Sequence, residues 1–257
     1  VKIESVKIDR KEFLEKAFST GIALFGTASL FEILESSDLF AKSGSDRYAM
    51  AIDIKKCLAA GDCTKCSTAC HSAYNVPLIS DKGHEVKWIW KEKYKHAFSS
   101  KTDTFANKNL MNKKVPVLCN HCTNAPCVRV CPTKATFKRK DGIVAMDMHR
   151  CIGCRYCMAA CPYGSRSFNF RDPKKFLSNM VSSYPPRTKG VVEKCNFCAP
   201  LLDQGGTPHC VKACDAGALS FGKILDEKSS LHIAVKGRYV IRRKPELSTE
   251  PAVYYLV

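Results

Sequence analysis

The side chains with the most chemistry in this chain are its sixteen cysteines, and four groups use every one of them. The first reads Cys57-x5-Cys63-x2-Cys66-x3-Cys70 and the second Cys119-x2-Cys122-x4-Cys127-x3-Cys131-Pro132. The third is Cys151-x2-Cys154-x2-Cys157-x3-Cys161-Pro162, and the fourth is Cys195-x2-Cys198-x11-Cys210-x3-Cys214. Thiolates are soft anionic ligands, so groups of four imply either pairing into disulfides or the holding of metal. A tight C-x2-C turn aims two thiolates and several backbone N–H groups at one soft, electron-rich centre. The last cysteine of a group, beyond its three-residue spacer and at the start of a helix, is expected to point the other way. It then serves the neighbouring centre, so the groups work in pairs.

Three other uses of cysteine compete with iron–sulfur clusters. A disulfide scaffold has no need of repeated C-x2-C spacings, which make strained and reducible bonds. Structural zinc explains the C-x2-C pairs but not the x3-Cys-Pro endings, and a zinc interaction module would be colourless where clusters are brown. Radical chemistry on a cluster needs C-x3-C-x2-C, and no such triplet occurs. The third group, by contrast, is the bacterial ferredoxin run without a departure. The expected cofactors are therefore four 4Fe-4S clusters, one for every four cysteines. Asp62, beside Cys63, could in principle intrude as an oxygen ligand, although soft iron disfavours oxygen where a thiolate is available.

These groups need a body to position them. The chain has 257 residues, 45% of them hydrophobic, enough for a sizeable core. No apolar run is long enough for a multi-span membrane protein. Its formal charge is +17, distributed unevenly: residues 1–50 hold 7 basic against 8 acidic side chains, whereas residues 51–257 hold 34 against 16. Sixteen thiolates and four 2+ cores would bring the loaded protein to about +9, so much of the basic excess reads as counter-charge for anionic clusters. The basic residues are dispersed and accompany no recognition motif, which argues against nucleic acid. Tyr48 to Asp53 reads as a short strand leading into the first group. Phe137 to Asp147, with Asp141-Gly142 at its centre, reads as a hairpin leading into the third. Residues 73–118 and 163–194 lack cysteines and read as insertions, and short helices are expected after each group.

The sequence then shows a resemblance. Cys119-Asn120-His121-Cys122, Ala125-Pro126-Cys127, Cys131-Pro132, Asp141-Gly142 and Cys151-Ile152-Gly153-Cys154 through Cys161-Pro162-Tyr163-Gly164 are similar to the four-cluster ferredoxin-like subunits of membrane-bound respiratory oxidoreductases. The similarity runs over residues 48–257, including the ending Glu250-Pro251-Ala252-Val253-Tyr254-Tyr255. Gly61-Asp62-Cys63-Thr64-Lys65-Cys66, with Ala69-Cys70-His71 and Asn75-Val76-Pro77, resembles the DsrO branch, from the DsrMKJOP complexes of sulfate and sulfur metabolisers. The resemblance implies an α+β fold of two pseudo-symmetric bacterial-ferredoxin-like modules with insertions. It also implies the ligand sets: Cys57, Cys63, Cys66 and Cys214; Cys195, Cys198, Cys210 and Cys70; Cys119, Cys122, Cys127 and Cys161; Cys151, Cys154, Cys157 and Cys131. The implied role is electron transfer between an integral membrane quinone-interacting subunit and a multihaem cytochrome subunit, in a membrane-associated hetero-oligomer on the extracytoplasmic face. The runner-up is the same conduit serving a molybdopterin reductase of polysulfide or nitrite type. Residues 1–47 are similar to a twin-arginine export signal, with Arg10-Lys11 where Arg-Arg is usual, followed by a polar linker. The segment reads as a signal or retained anchor; an amphipathic helix packed on the body is the alternative.

Few other residues stand out. His121 sits inside a C-x2-C turn, where its N–H could bond a cluster sulfur or its ring could simply pack. His71, next to Cys70, reads as a surface or ligand-flanking residue rather than a haem ligand. Trp88 and Trp90 alternate with Ile89 and suit either a partner surface or local packing. No Ser-His-Asp set, carboxylate pair or phosphate-cradling loop accompanies them, so no substrate chemistry is expected.

Overall fold

The computed structural model describes residues 47–99 and 108–257. The expected export signal or anchor, and the linker apart from Arg47, lie outside the described residues. The strands are β1 (Tyr48–Asp53), β2 (Ile89–Lys93), β3 (Lys114–Leu118), β4 (Thr136–Lys138), β5 (Val144–Met146), β6 (Ser167–Phe168), β7 (Val192–Glu193), β8 (Leu219–Lys223), β9 (Val240–Ile241) and β10 (Val253–Leu256). A four-stranded sheet has the order β8-β1-β10-β9. Within it β1 runs antiparallel to β8, with Ala51 opposite Ser220, and parallel to β10, with Ala51 opposite Tyr254. Three two-stranded ribbons, β2-β3, β4-β5 and β6-β7, complete the described sheets.

The expected strand at Tyr48–Asp53 is β1. Its alternation is weak because it is a central strand covered on both faces: Ala49 through Asp53 are all buried. Asp53 ends the strand and caps the helix Ile54–Ala59, its Oδ1 accepting from the Lys56 N–H at 3.0 Å. The expected hairpin is β4-β5, whose turn passes through Gly142 at φ +82°. Residues 73–118 and 163–194 supply the β2-β3 and β6-β7 ribbons.

The helices correct the expectation. They are single turns inside the cysteine groups: Pro126–Arg129, Tyr156–Ala159 and His209–Lys212 each run ahead of the last cysteine of their group. Cys131, Cys161 and Cys214 therefore follow a helix instead of opening one. In the first group Cys70 lies within the helix Lys65–Ala73. The reason is local: the x3 spacer is itself the helical turn, and the proline after Cys131 or Cys161 disfavours helical backbone at the residue before it. After each of these three cysteines the chain turns through a left-handed residue three positions on, Lys134 (φ +54°), Gly164 (φ +62°) or Gly217 (φ +58°), and then enters β4, β6 or β8.

Candidate metal centres

All sixteen cysteines are unpaired, and only Cys154 is exposed. Cys57, Cys63, Cys66 and Cys214 border one cavity of about 210 Å³, closed by Pro116, Ala218 and Leu219. Cys57 comes from the helix Ile54–Ala59, Cys66 from the next helix, and Cys214 from more than a hundred residues further along. Asp62 is exposed and does not line this cavity. A second, tighter cavity is lined by Cys131, Cys151, Cys154 and Cys157.

The remaining eight thiols are located by what perturbs them. Burial and then the charges of Cys195, Cys210 and Cys198 raise the Cys70 thiol well above its usual range. Burial, then Cys119, pushes Cys122 up to about 12 despite a hydrogen bond from the Thr249 hydroxyl, with Cys127 and Cys161 also close. Cys70 therefore neighbours Cys195, Cys198 and Cys210, and Cys122 neighbours Cys119, Cys127 and Cys161. Each set also borders the next: Cys66 bears on Cys210, Cys119 on Cys195, and Cys127 on Cys157. The four sets therefore follow one another in that order.

Burial and mutual repulsion disfavour adjacent thiolates. Cys66 is raised to about 11 by burial first and Cys57 second, and Cys195 to about 12 by burial and then Cys119. Backbone donors work in the opposite direction. The N–H groups of Thr136, Ala218 and Phe197 reach Cys131, Cys214 and Cys195 at 3.5, 3.3 and 3.4 Å. At Cys131 burial raises the thiol, yet donors from Thr136, Thr133 and Ala135 leave it lowered. Among the described residues no three His, Cys, Asp or Glu side chains are gathered tightly enough to hold a single metal ion. Soft sulfur donors in fours, bordering a space and supplied with N–H groups, fit an iron–sulfur cluster, whose positive core would offset the repulsion.

The flanking residues are informative. His121 and Phe197 occupy matching places in Cys119-Asn120-His121-Cys122 and Cys195-Asn196-Phe197-Cys198, both with positive φ (+42° and +53°). Their rings stack with centroids 3.7 Å apart. His121 Nδ1 accepts the Val144 N–H at 3.1 Å, so that nitrogen is not a donor to sulfur. Burial, followed by Lys194 and Arg166, lowers its pKa well below the usual value, and the imidazole is neutral. The ring packs on Phe197 through its face, while Nε2, which carries the proton when Nδ1 accepts, is buried without a hydrogen-bond partner among the described residues. His71 is half-buried, its pKa lowered by burial. Trp88 is core: it is 1% exposed, stacks on Tyr74 and donates to Glu193 Oε2 at 2.8 Å.

Several residues of the sites are not singled out by the sequence. Tyr74 hydrogen-bonds Cys198 through its hydroxyl, which lowers a thiol raised chiefly by burial. Thr249, in the C-terminal segment, bonds the Tyr163 hydroxyl at 2.5 Å as well as Cys122. Lys194 is buried and donates to the carbonyls of Val144 and Cys195. Arg166 is buried and donates to Cys127 Sγ at 3.1 Å; burial opposes its charge, but Cys127, Cys157 and Cys119 outweigh it and raise its pKa. The basic side chains next to Cys195 and five residues after Cys161 are visible signals. Tyr74 and Thr249 have none, because each reaches its cysteine only through the fold.

Comparison with known proteins agrees with this geometry. A family model described as a 4Fe-4S dicluster domain matches residues 111–176 and 181–224. The chain is 38% identical to the Hdr-like menaquinol oxidoreductase iron-sulfur subunit 1 of Archaeoglobus fulgidus, over 96% of this chain and 97% of that one. It is 34% identical to the menaquinone reductase iron-sulfur cluster-binding subunit of Nitratidesulfovibrio vulgaris (82% and 88% covered). Identity to a tetrathionate reductase subunit of Salmonella typhimurium is 32% (96% and 87%). The chain belongs to the 4Fe-4S dicluster iron–sulfur subunits of membrane respiratory oxidoreductases, electron-transfer subunits of membrane-associated complexes.

Proposed function

We propose that this chain conducts electrons singly through four 4Fe-4S clusters, held by the four cysteine sets named above, between a quinone-interacting membrane subunit and a multihaem cytochrome in a complex of sulfur or sulfate metabolism. The observation that carries this reading is the succession of four cysteine sets, each bordering the next. Bound clusters would supply reversible one-electron chemistry. The residues of the chain keep water from the inner sets, orient the sulfurs and present N–H donors to them. No general base, nucleophile or open metal position is required for this work.

Two pseudo-symmetric ferredoxin-like modules account for the repeated turn after Cys131, Cys161 and Cys214 and for the matched His121 and Phe197. Full-length similarity to a menaquinol oxidoreductase subunit supports the quinone-linked assignment. The molybdopterin alternative draws on the lower similarity to a tetrathionate reductase subunit. Purifying the native membrane complex distinguishes the two: a multihaem cytochrome and a quinone-interacting subunit are expected, and a molybdopterin subunit would overturn the choice. Placement on the extracytoplasmic face rests on Arg10 and Lys11. Replacing both with Gln should strand the protein in the cytoplasm, and unchanged localisation would refute the export assignment.

A further inference from the structure

Arg166 is a cation in a place that should not tolerate one. It is 4% exposed, and the side chains that bond it or bear most on it include no carboxylate. Of the two other arginines buried among the described residues, Arg187 is matched by Glu193 at 3.0 Å, whereas Arg243 donates to the Ala97 carbonyl and lies over the Tyr163 ring; of the three, only Arg166 donates to a cysteine sulfur. Desolvating a cation is costly unless an anion replaces the lost water. The groups that face Arg166 are sulfur and hydroxyl: Nη2 donates to Cys127 Sγ at 3.1 Å, and Nη1 reaches Thr136 Oγ1 at 3.1 Å and Met146 Sδ at 3.7 Å. Cys157 of the neighbouring set bears on it as well. The guanidinium is thus fixed by a hydroxyl on β4 and turned toward a cysteine of one set while lying beside another.

The corresponding position in the other half is apolar. Arg166 stands two residues after Gly164, which follows Cys161 by three; two residues after Gly217, which follows Cys214 by three, stands Leu219. Leu219 lines the cavity of Cys57, Cys63, Cys66 and Cys214. The two halves therefore share a turn but differ by a full charge at the cluster-facing site.

We propose that Arg166 is the permanent counter-ion of the sets Cys119/Cys122/Cys127/Cys161 and Cys131/Cys151/Cys154/Cys157, and that it makes these two centres easier to reduce than a neutral residue would. Reduction adds one electron to a cluster and moves no proton or leaving group, so a nearby fixed cation favours the reduced state electrostatically. Inside the protein this charge is weakly screened. The inference rests on the four-cluster reading, and it gives the two centres beside Arg166 a sulfur-bonded cation where Leu219 stands in the other half.

The test is an EPR-monitored redox titration of the iron-loaded protein as wild type, Arg166→Gln, Arg166→Met and Arg166→Lys, with iron and sulfide counted in each. Four clusters in the wild type establish the parent reading independently; fewer would defeat it before Arg166 is considered. The neutral variants are expected to lower the reduction equilibrium constants of two centres by about tenfold or more. The other two should stay unchanged, the lysine variant should keep most of the effect, and the shift should persist at high salt. A purely structural role would reduce stability and leave the potentials where they were. Should both neutral variants fail to load the two centres, retention by Arg166→Lys supports the counter-ion and equal loss in Arg166→Lys overturns it. Four unshifted potentials in a fully loaded Arg166→Gln protein also overturn it.

Discussion

Glu193 holds a negative charge with none of its side chain in solvent, and three donors converge on it: Trp88 Nε1 at 2.8 Å, Arg187 Nε at 3.0 Å and Asn169 Nδ2 at 2.6 Å. Arg187 continues the network to the carbonyls of Tyr74 and Asn75, beside the Cys70 set. Removing one partner of such a pair leaves the other charge buried and unmatched, so Glu193→Ala should cost about 3–5 kcal/mol in denaturant unfolding. A loss within experimental error would mean that the pair is not buried as described. Ligand exchange between groups is testable at the same scale. If Cys131 serves the centre of the third group, Cys131→Ser and Cys154→Ser should disturb the same EPR signal and leave the one changed by Cys122→Ser largely alone. Tracking of Cys131 with Cys122 would break the interleaved assignment. The cysteines themselves are legible in the sequence because C-x2-C geometry is local. Arg166, Tyr74 and Thr249 are not, because their significance depends on which sulfur the fold brings to them.

The turn Cys151-Ile152-Gly153-Cys154 shows how an element is placed to hold a thiolate. Gly153 has φ +72°, and a Cβ there would lie 2.3 Å from the Gly190 carbonyl oxygen and 3.1 Å from the Phe168 ring. Both neighbours belong to the β6-β7 region, so neither the local backbone nor its packing leaves room for a side chain. Gly153→Ala is therefore expected to lose the exposed fourth centre and keep the other three, with iron falling from about 16 to about 12 per chain. Undiminished iron would show that the turn can shift freely. At the end of β1, Asp53 is lowered in pKa: burial raises it, but the Lys56 N–H and the Arg238 guanidinium outweigh that effect. A lowered carboxylate gives stability above its unfolded pKa of about 3.9 that is lost as pH falls through the folded value. Asp53→Asn should accordingly flatten the acid limb of a stability-versus-pH curve below about pH 4; an unchanged limb would contradict the capping role. Elements closed by neighbouring residues, such as β1 and the β4-β5 hairpin, can be read from the chain alone. The parallel pairing of β1 with β10 cannot, since Met50 and Val253 are joined by no local signal. The helices fall elsewhere than expected because the x3 spacer reads equally as a lead-in to a helix and as the helix itself.

The whole molecule puts its cysteines inside a basic body and gives them a sequence of neighbours. The cationic side chains Arg166 and Lys194 are buried near the cysteines, the first donating to Cys127 Sγ and the second to the carbonyls of Val144 and Cys195, so part of the charge excess is internal. Among the described residues no helix is long and apolar enough to cross a membrane. The isolated chain should accept electrons from a strong artificial reductant without oxidising a quinol analogue, whereas the assembled complex should show quinol-dependent cluster reduction. Quinol-dependent reduction by the chain alone would reveal a site absent from this description. The most direct test of the central claim is anaerobic determination of iron and acid-labile sulfide in the purified protein. Four occupied cysteine sets predict about 16 of each per chain, and about four zinc ions with no sulfide would contradict the account.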